Sequence, residues 1–144
     1  MKRILVVLLV SLLSITAFAS SNELAANVVK IGYAKATAAE QGDNSHVYMH
    51  FTNNGELGHT VIAAFSPVAT QIQLHTFVMV SGKPIEVMIH SLPLQAGKYL
   101  YLSKLHENIA LMGLKKALTV GEMIPVTVLY RDGSYETVDA TVVK

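Results

Sequence analysis

The amino-acid sequence predicts an all-β protein, either an antiparallel β-sandwich or a Greek-key barrel. Short apolar or alternating segments follow one another along the chain, and turn-forming residues separate them at regular intervals. No long window repeats apolar residues at the spacing of a helix, and regularly spaced short strands are typical of antiparallel β domains. The chain shows no low-complexity tract, linker or internal repeat, which indicates one domain.

The segment 46–51 shows the strand pattern most clearly. Val47, Met49 and Phe51 share one face and the residues between them share the other, which predicts one buried and one exposed face. Asp132-Gly133, placed between two alternating runs, is a strong hairpin signal. By the same criteria we predict strands at 28–36, 46–51, 59–65, 70–80, 85–90, 99–102, 124–131 and 134–143.

The N-terminus carries the features of an export signal. Lys2 and Arg3 precede an apolar run at 4–15, and 17–19 supplies the small residues of a cleavage site. The run is too short for a membrane span, which takes roughly 20 residues, and an uncleaved anchor is the alternative. We expect a signal peptide at 1–19, a flexible leader at 20–27, and an exported domain at 28–144 that does not insert into a membrane.

Composition argues against several classes of function. Lys and Arg number 11 against 10 Asp and Glu, and no basic patch is present, so nucleic acid is not an expected partner. The chain contains no cysteine, which excludes disulfides and thiolate chemistry. Neither a Gly-x-Ser-x-Gly elbow nor a phosphate-binding glycine loop occurs. We therefore expect a protein that is not an enzyme.

Histidine and methionine concentrate between Gln73 and Gly113. This segment holds three of the six histidines and three of the six methionines. Thioether sulfur suits Cu(I), and imidazole accepts copper in either common oxidation state. Copper binding is therefore the chemistry that the segment indicates.

Each candidate ligand also has an ordinary structural explanation. His75 follows Leu74 in an alternating strand, and a single histidine in such a place is more often a surface or rim residue than a metal ligand. Met79 and Met88 flank the Ser81-Gly82 turn and could pair across a hairpin, although methionine is also common core filler. His90 shares a strand face with Met88.

Three further histidines are read from their local context. His106 lies in a loop-like stretch and is expected to be exposed. His46 and His50 share a strand face with Tyr48, and we interpret them as part of a solvated face.

Seven sequence blocks in the same order resemble the PCuAC-type periplasmic copper chaperones. The blocks are A-K-A-T at 34–37, Y-M-H-F-T-N-N-G-E at 48–56, F-S-P-V-A at 65–69, Q-L-H at 73–75, L-P-L-Q-A-G at 92–97, L-M-G-L-K at 111–115 and V-G-E-M-I-P-V-T-V at 120–128. The resemblance implies a cupredoxin-like β-sandwich in the periplasm. It also implies transfer of copper to an acceptor protein such as a subunit of a respiratory terminal oxidase.

The expected ligand pattern of that family is only partly present. His75 occupies the first ligand position, but Phe77 stands where the resemblance implies a methionine. Counting from His75 places Glu86 at the second methionine position and Asn108 and Ala110 at the closing histidine and methionine.

Two interpretations of this departure remain open. In the first, the site has shifted and His75 binds Cu(I) together with Met88 and His106, helped by Met79 or His90. In the second, tight copper binding is lost and the scaffold serves as a non-metal protein-interaction module.

Overall fold

The computed structural model describes residues 23–144, so the predicted signal peptide at 1–19 lies outside the described residues. This range contains one short helix followed by ten strands. They are α1 Ala25–Val28, β1 Val29–Thr37, β2 Ser45–Asn53, β3 His59–Phe65, β4 Ala69–Val80, β5 Lys83–Ile89, β6 Leu92–Leu94, β7 Tyr99–Tyr101, β8 Asn108–Leu114, β9 Met123–Tyr130 and β10 Tyr135–Val143. No helix in residues 23–144 is long and apolar enough to cross a membrane.

The strands form one hydrogen-bonded sheet that folds over into an open sandwich, which confirms the predicted fold class. Its order is β5-β4-β8-β2-β1-β10-β9-β3-β6, and β7 also pairs with β2. All the pairs are antiparallel except β1 with β10, which is parallel. A register shift in β1 lies between Gly32 and Lys35, and from Lys35 onwards β1 pairs with β10 as well as with β2; such bulges bend a strand.

Alternating side chains of the strands fill the space between the two halves of the sandwich. In β2, Val47, Met49 and Phe51 are fully buried, as the sequence pattern predicts. Ile109 of β8 and Val126 of β9 are buried in the same hydrophobic cluster. β8 and β2 are neighbours inside the sheet, and each pairs with a strand on both sides. Their outer face, opposite the core, carries His46 and Asn108.

Two strands, β6 and β8, were not predicted from the sequence. Residues Asn108–Leu114 are almost continuously buried, so β8 lacks the alternation by which a strand is recognised. The three residues of β6 include Pro93, which is a poor strand signal. The missed β8 matters most because it pairs with β4 directly beside His75.

The hairpins follow their turn residues. Ser81 and Gly82 both have positive φ, 50° and 77°, and they join Val80 to its partner Lys83. Positive φ at both central residues is typical of a two-residue turn that matches the twist of its strands. Asp132-Gly133 lies in the turn between β9 and β10, so the predicted hairpin is confirmed there.

Candidate metal centre

The candidate centre lies on the outer face of the sheet, where β5, β4 and β8 run side by side. His75 is directly opposite Met88 of β5 on one side and Asn108 of β8 on the other. Directly opposed residues share a face of the sheet and have Cβ atoms roughly 5 Å apart. One imidazole, one thioether and one amide are therefore neighbours in this row.

Glu86 is the common partner of the polar side chains around His75. Its Oε1 atom lies 2.8 Å from Nδ1 of His75 and 3.1 Å from Nε2 of His46. The Nδ2 group of Asn108 approaches the same oxygen at 3.5 Å. Two imidazoles and one amide from three different strands thus converge on one carboxylate oxygen.

The His75 side chain is buried, and each of its two ring nitrogens contacts a polar group. The residue is 8 % exposed, and its Nε2 lies 2.7 Å from Oε1 of Gln73. A carboxylate only accepts hydrogen bonds, so Nδ1 of His75 is the donor to Glu86. Oε1 of Gln73 is also an acceptor, so Nε2 donates to it in this arrangement, and Nε2 has a lone pair for another partner only after it gives up this proton.

The electrostatics of the cluster favour an ionised Glu86. Burial acts to raise the pKa of Glu86, but the hydrogen bond from His75 and the nearby His46 and His75 outweigh it, and the pKa lies below its usual value. Burial and the negative charge of Glu86 raise the pKa of Tyr48. The cluster therefore presents a negative charge to a cation.

Asn108 carries the least satisfied polar group of this region. The residue is fully buried, and its Oδ1 atom has no hydrogen-bond partner. A buried polar atom without a partner costs about 1–3 kcal/mol. An oxygen acceptor in this position is suited to a cation or to a donor group from a bound molecule.

In residues 23–144 no three His, Asp or Glu side chains form a preformed metal-binding group. The nitrogens of His75 and His46 are held by hydrogen bonds to Glu86, and a nitrogen that binds a metal cannot also carry the proton of such a bond. An ion entering the cluster therefore has to displace protons and shift the Glu86 carboxylate, which lies on the edge strand β5.

Comparison with protein families identifies the chain. The family described as putative lipoprotein LpqE-like matches residues 28–142. The chain belongs to this family. A relative named putative lipoprotein Lxx21020, from Leifsonia xyli subsp. xyli (strain CTCB07), is 32% identical over 110 residues, which cover 76% of this chain and 66% of that protein. The chain thus spans just under two thirds of that relative's length.

Solved structures support the fold of this LpqE-like protein. The copper-bound PCuAC domain from PmoF2 has a TM-score of 0.66 at 18% identity, over 79% of this chain and 91% of that one. The Cu(I) form of DR1885 from Deinococcus radiodurans has a TM-score of 0.58 at 27% identity, over 85% and 84% of the two chains. Its apo form is 31% identical with a TM-score of 0.57, over 79% and 78%. The domain therefore has the cupredoxin-like fold of PCuAC domains.

Three of the ligand positions implied by the family resemblance lie on the two strands that flank His75 in this LpqE-like domain: Glu86 on β5, and Asn108 and Ala110 on β8. Asn108 is directly opposite His75, and Glu86 is directly opposite Phe77 and hydrogen bonded to His75. Ala110 follows on the same face, one residue pair further along β8. The residues present at these positions supply a carboxylate and an amide where the family resemblance implies a thioether and an imidazole.

The other candidate ligands, Met79, His90 and His106, are not directly opposite His75 in the sheet. The expected pairing of Met79 with Met88 is wrong, because the two-residue turn places Met79 opposite Pro84 and Met88 opposite His75. His90 is exposed and follows the last residue of β5. His106 is exposed in the turn before β8, two residues ahead of Asn108.

His46 was missed as a member of the cluster. We interpreted it as part of a solvated face, but it is only half-exposed and contacts Glu86. Its strand β2 pairs with β8, where His46 lies opposite Ala110. Because β8 was not predicted, the sequence held no signal that would place β2 and β4 on either side of one shared strand. His50 also differs from the prediction, since its ring lies between those of Tyr33 and Tyr101.

A second histidine cluster fastens the N-terminal segment to the domain. The His59 side chain is 8% exposed, with Nε2 lying 3.6 Å from Glu23 and Nδ1 lying 3.8 Å from Asp132. Asp132 also accepts a hydrogen bond of 2.7 Å from the backbone N–H of Ala25. The two carboxylates face opposite nitrogens of one ring, so they do not converge on a common point. This cluster attaches residues 23–25, which the sequence analysis assigned to a flexible leader.

We expect this attachment to weaken in acid, through Asp132. Burial acts to raise the pKa of Asp132, but hydrogen bonds from the Ser134 side chain and from the backbone N–H groups of Ala25 and Ser134 outweigh it, and the pKa lies below its usual 3.8. A carboxyl whose pKa is lower in the folded chain stabilises the fold above about pH 4, and this contribution is lost as the pH falls through the folded-state pKa.

The substitution Asp132→Asn tests this dependence, with Asp139→Asn as a control at an exposed carboxylate on β10. At pH 7 we expect Asp132→Asn to lower the free energy of unfolding by about 1 kcal/mol, a typical value for one hydrogen bond. The difference from the unmodified protein should shrink as the pH approaches 3. Denaturant unfolding at a series of pH values measures it, and a difference that is constant between pH 7 and pH 3 would contradict the prediction.

Proposed function

We propose that this LpqE-like protein is an exported, periplasmic copper carrier that holds Cu(I) at His75 and passes it to an acceptor protein by ligand exchange. The proposed acceptor is a subunit of a respiratory terminal oxidase. The observation that carries the proposal is the environment of His75, a buried imidazole fixed by Glu86 and directly opposite the thioether of Met88. Solved PCuAC domains of the same fold include copper-bound forms.

The contact with Glu86 prepares His75 to act as a ligand. Histidines that bind metals commonly donate their second ring N–H to a carboxylate, which fixes the tautomer and the ring orientation. Here Nδ1 donates to Glu86 at 2.8 Å, which leaves Nε2 as the nitrogen that would bind a metal, once the ion has replaced its proton and its contact with Oε1 of Gln73. Gln73, which contacts Nε2, is a neutral side chain that a stronger partner can displace.

Met88 supplies the sulfur ligand in this proposal. Its thioether needs no deprotonation and favours Cu(I) over harder ions. Met88 is 52% exposed and lies on β5, at the end of the strand order. An ion bound there is accessible from solvent, as transfer to another protein requires.

His106 is the proposed third ligand. It is exposed in the turn that precedes β8, and β8 places Asn108 directly opposite His75. A backbone hydrogen bond of 3.1 Å from the His106 N–H to Ser103 shapes this turn. An exposed side chain in a turn can rotate without a change in the sheet, which is why His106 is proposed.

An open set of two or three ligands is suited to transfer. Structural metal sites are closed by four protein ligands, whereas sites that react keep a free position. An acceptor with more sulfur or nitrogen ligands binds at the free position first and then replaces Met88 and His106 in turn. Copper moves down an affinity gradient, and no bond other than metal–ligand bonds is formed or broken.

Competition for Cu(I) against a chromophoric chelator tests the proposal. We expect His75→Ala and Met88→Leu each to weaken Cu(I) binding at least about tenfold, because even partners of metal ligands contribute 10–100-fold to affinity. His50→Ala and Met123→Leu are matched controls, since His50 contacts tyrosine rings and Met123 is an exposed methionine at the start of β9.

Two outcomes would contradict the carrier function. One is a Cu(I) affinity no greater than that of unstructured peptides containing His and Met. The other is an affinity that His75→Ala leaves unchanged. Either result would favour the non-metal interaction module.

A further inference from the structure

We infer that the same cluster contains a second, sulfur-free site, in which His46, Glu86 and His75 bind divalent copper. The inference rests on the proposed function in one respect, since both place copper at His75. It differs in the ligands, because His46 and Glu86 replace Met88 and His106. The observation that carries it is the convergence of two imidazole nitrogens on one carboxylate oxygen.

The geometry brings three donor atoms to one point. Nδ1 of His75 lies 2.8 Å from Oε1 of Glu86, and Nε2 of His46 lies 3.1 Å from the same oxygen. Each of these contacts is a hydrogen bond whose proton a metal ion can replace. For an ion to sit between the two nitrogens, the Glu86 side chain, which is 30% exposed, has to rotate aside.

The donor set determines which ion fits. Imidazole nitrogen and carboxylate oxygen suit Cu(II), whereas thioether sulfur suits Cu(I). Of the divalent ions of the first transition series, Cu(II) binds most tightly to a given set of nitrogen and oxygen ligands. The negative charge of Glu86 also favours a dication over a monovalent ion.

Asn108 gives an independent reason to expect a cation here. It is fully buried, its Nδ2 lies 3.5 Å from Glu86, and its Oδ1 has no hydrogen-bond partner. The amide presents Nδ2 to the carboxylate, so turning the amide over would bring the unpartnered oxygen towards the ion as a further hard donor.

The two proposed sites use different atoms of His75. The divalent site uses Nδ1, which faces Glu86, and the Cu(I) site uses Nε2, which faces Gln73. Removing the His46 imidazole should therefore weaken Cu(II) binding and spare Cu(I) binding. This separation makes the inference testable without reference to the acceptor protein.

Electron paramagnetic resonance of the protein with one equivalent of Cu(II) tests the ligand set. We expect nitrogen hyperfine structure from two imidazoles in the unmodified protein and from one imidazole in His46→Ala. Titration against a Cu(II) chelator should show at least about a tenfold loss of affinity in His46→Ala and in Glu86→Gln. His50→Ala, on the same face of β2, should leave the Cu(II) affinity unchanged.

The same variants separate this inference from the proposed function. Unchanged Cu(II) affinity and spectrum in His46→Ala and Glu86→Gln would overturn the divalent site, whatever the Cu(I) result. Unchanged Cu(I) affinity in Met88→Leu and His75→Ala would overturn the carrier function, and the Cu(II) result would stand by itself. Circular dichroism of each variant shows that a lost affinity does not come from a lost fold.

Discussion

Replacing Glu86 by methionine and Asn108 by histidine in one protein is expected to raise the affinity for Cu(I) by about 100-fold or more, equivalent to roughly 3 kcal/mol of binding free energy. Both positions contact or directly oppose His75. The double substitution adds a thioether and a second imidazole, which are ligands preferred by Cu(I). It also removes the Asn108 oxygen that has no hydrogen-bond partner.

The double variant is measured by the same chelator competition, beside a triple variant that also carries His75→Ala. If the gain depends on a site built around His75, the triple variant should lose most of it. An imidazole is larger than the buried amide that it replaces, and overpacking costs typically 1–3 kcal/mol, so thermal unfolding of each variant is recorded as well. An unchanged Cu(I) affinity in a folded double variant would show that these positions do not face a common ion.

The largest loss of stability is expected from Phe51→Ala. Phe51 is fully buried at the centre of the sheet, in a strand that pairs with β1, β7 and β8. Truncating a buried phenylalanine costs about 3–5 kcal/mol, because it removes buried apolar surface and leaves a cavity. This is a large part of the 5–15 kcal/mol that stabilises a typical domain.

Phe65→Ala is the matched control, because it deletes the same atoms from a phenylalanine that is 55% exposed on β3. Denaturant unfolding of both variants gives the free energies of unfolding. We expect the control to lose less than about 1 kcal/mol, as is usual for exposed positions. Equal losses in the two variants would mean that the core is not centred on β2.

The fold and the candidate centre differ in how far the sequence could predict them. Strands with one buried face alternate visibly, and β2 is the clearest example. The turn at Ser81-Gly82 was recognised in the sequence, but the β4–β5 register was not, since the two-residue turn pairs Met88 with His75 and not with Met79. The partners on the other side of His75 could not be predicted in this way. They depend on β8, whose continuous burial hides the alternation, and on the order of strands that are distant in sequence.

The position of β5 at the end of the sheet has a consequence for the kinetics of the proposed carrier. This strand pairs with β4 on one side, and it carries both Glu86 and Met88. Strands at an edge with few buried contacts open at a much lower free-energy cost than the core does. Separation of β5 from β4 would remove these two donors from His75 while β8 and β2 stay packed. The residence time of a bound ion is then governed by the opening of one hairpin, and it can be short in a domain that is itself very stable.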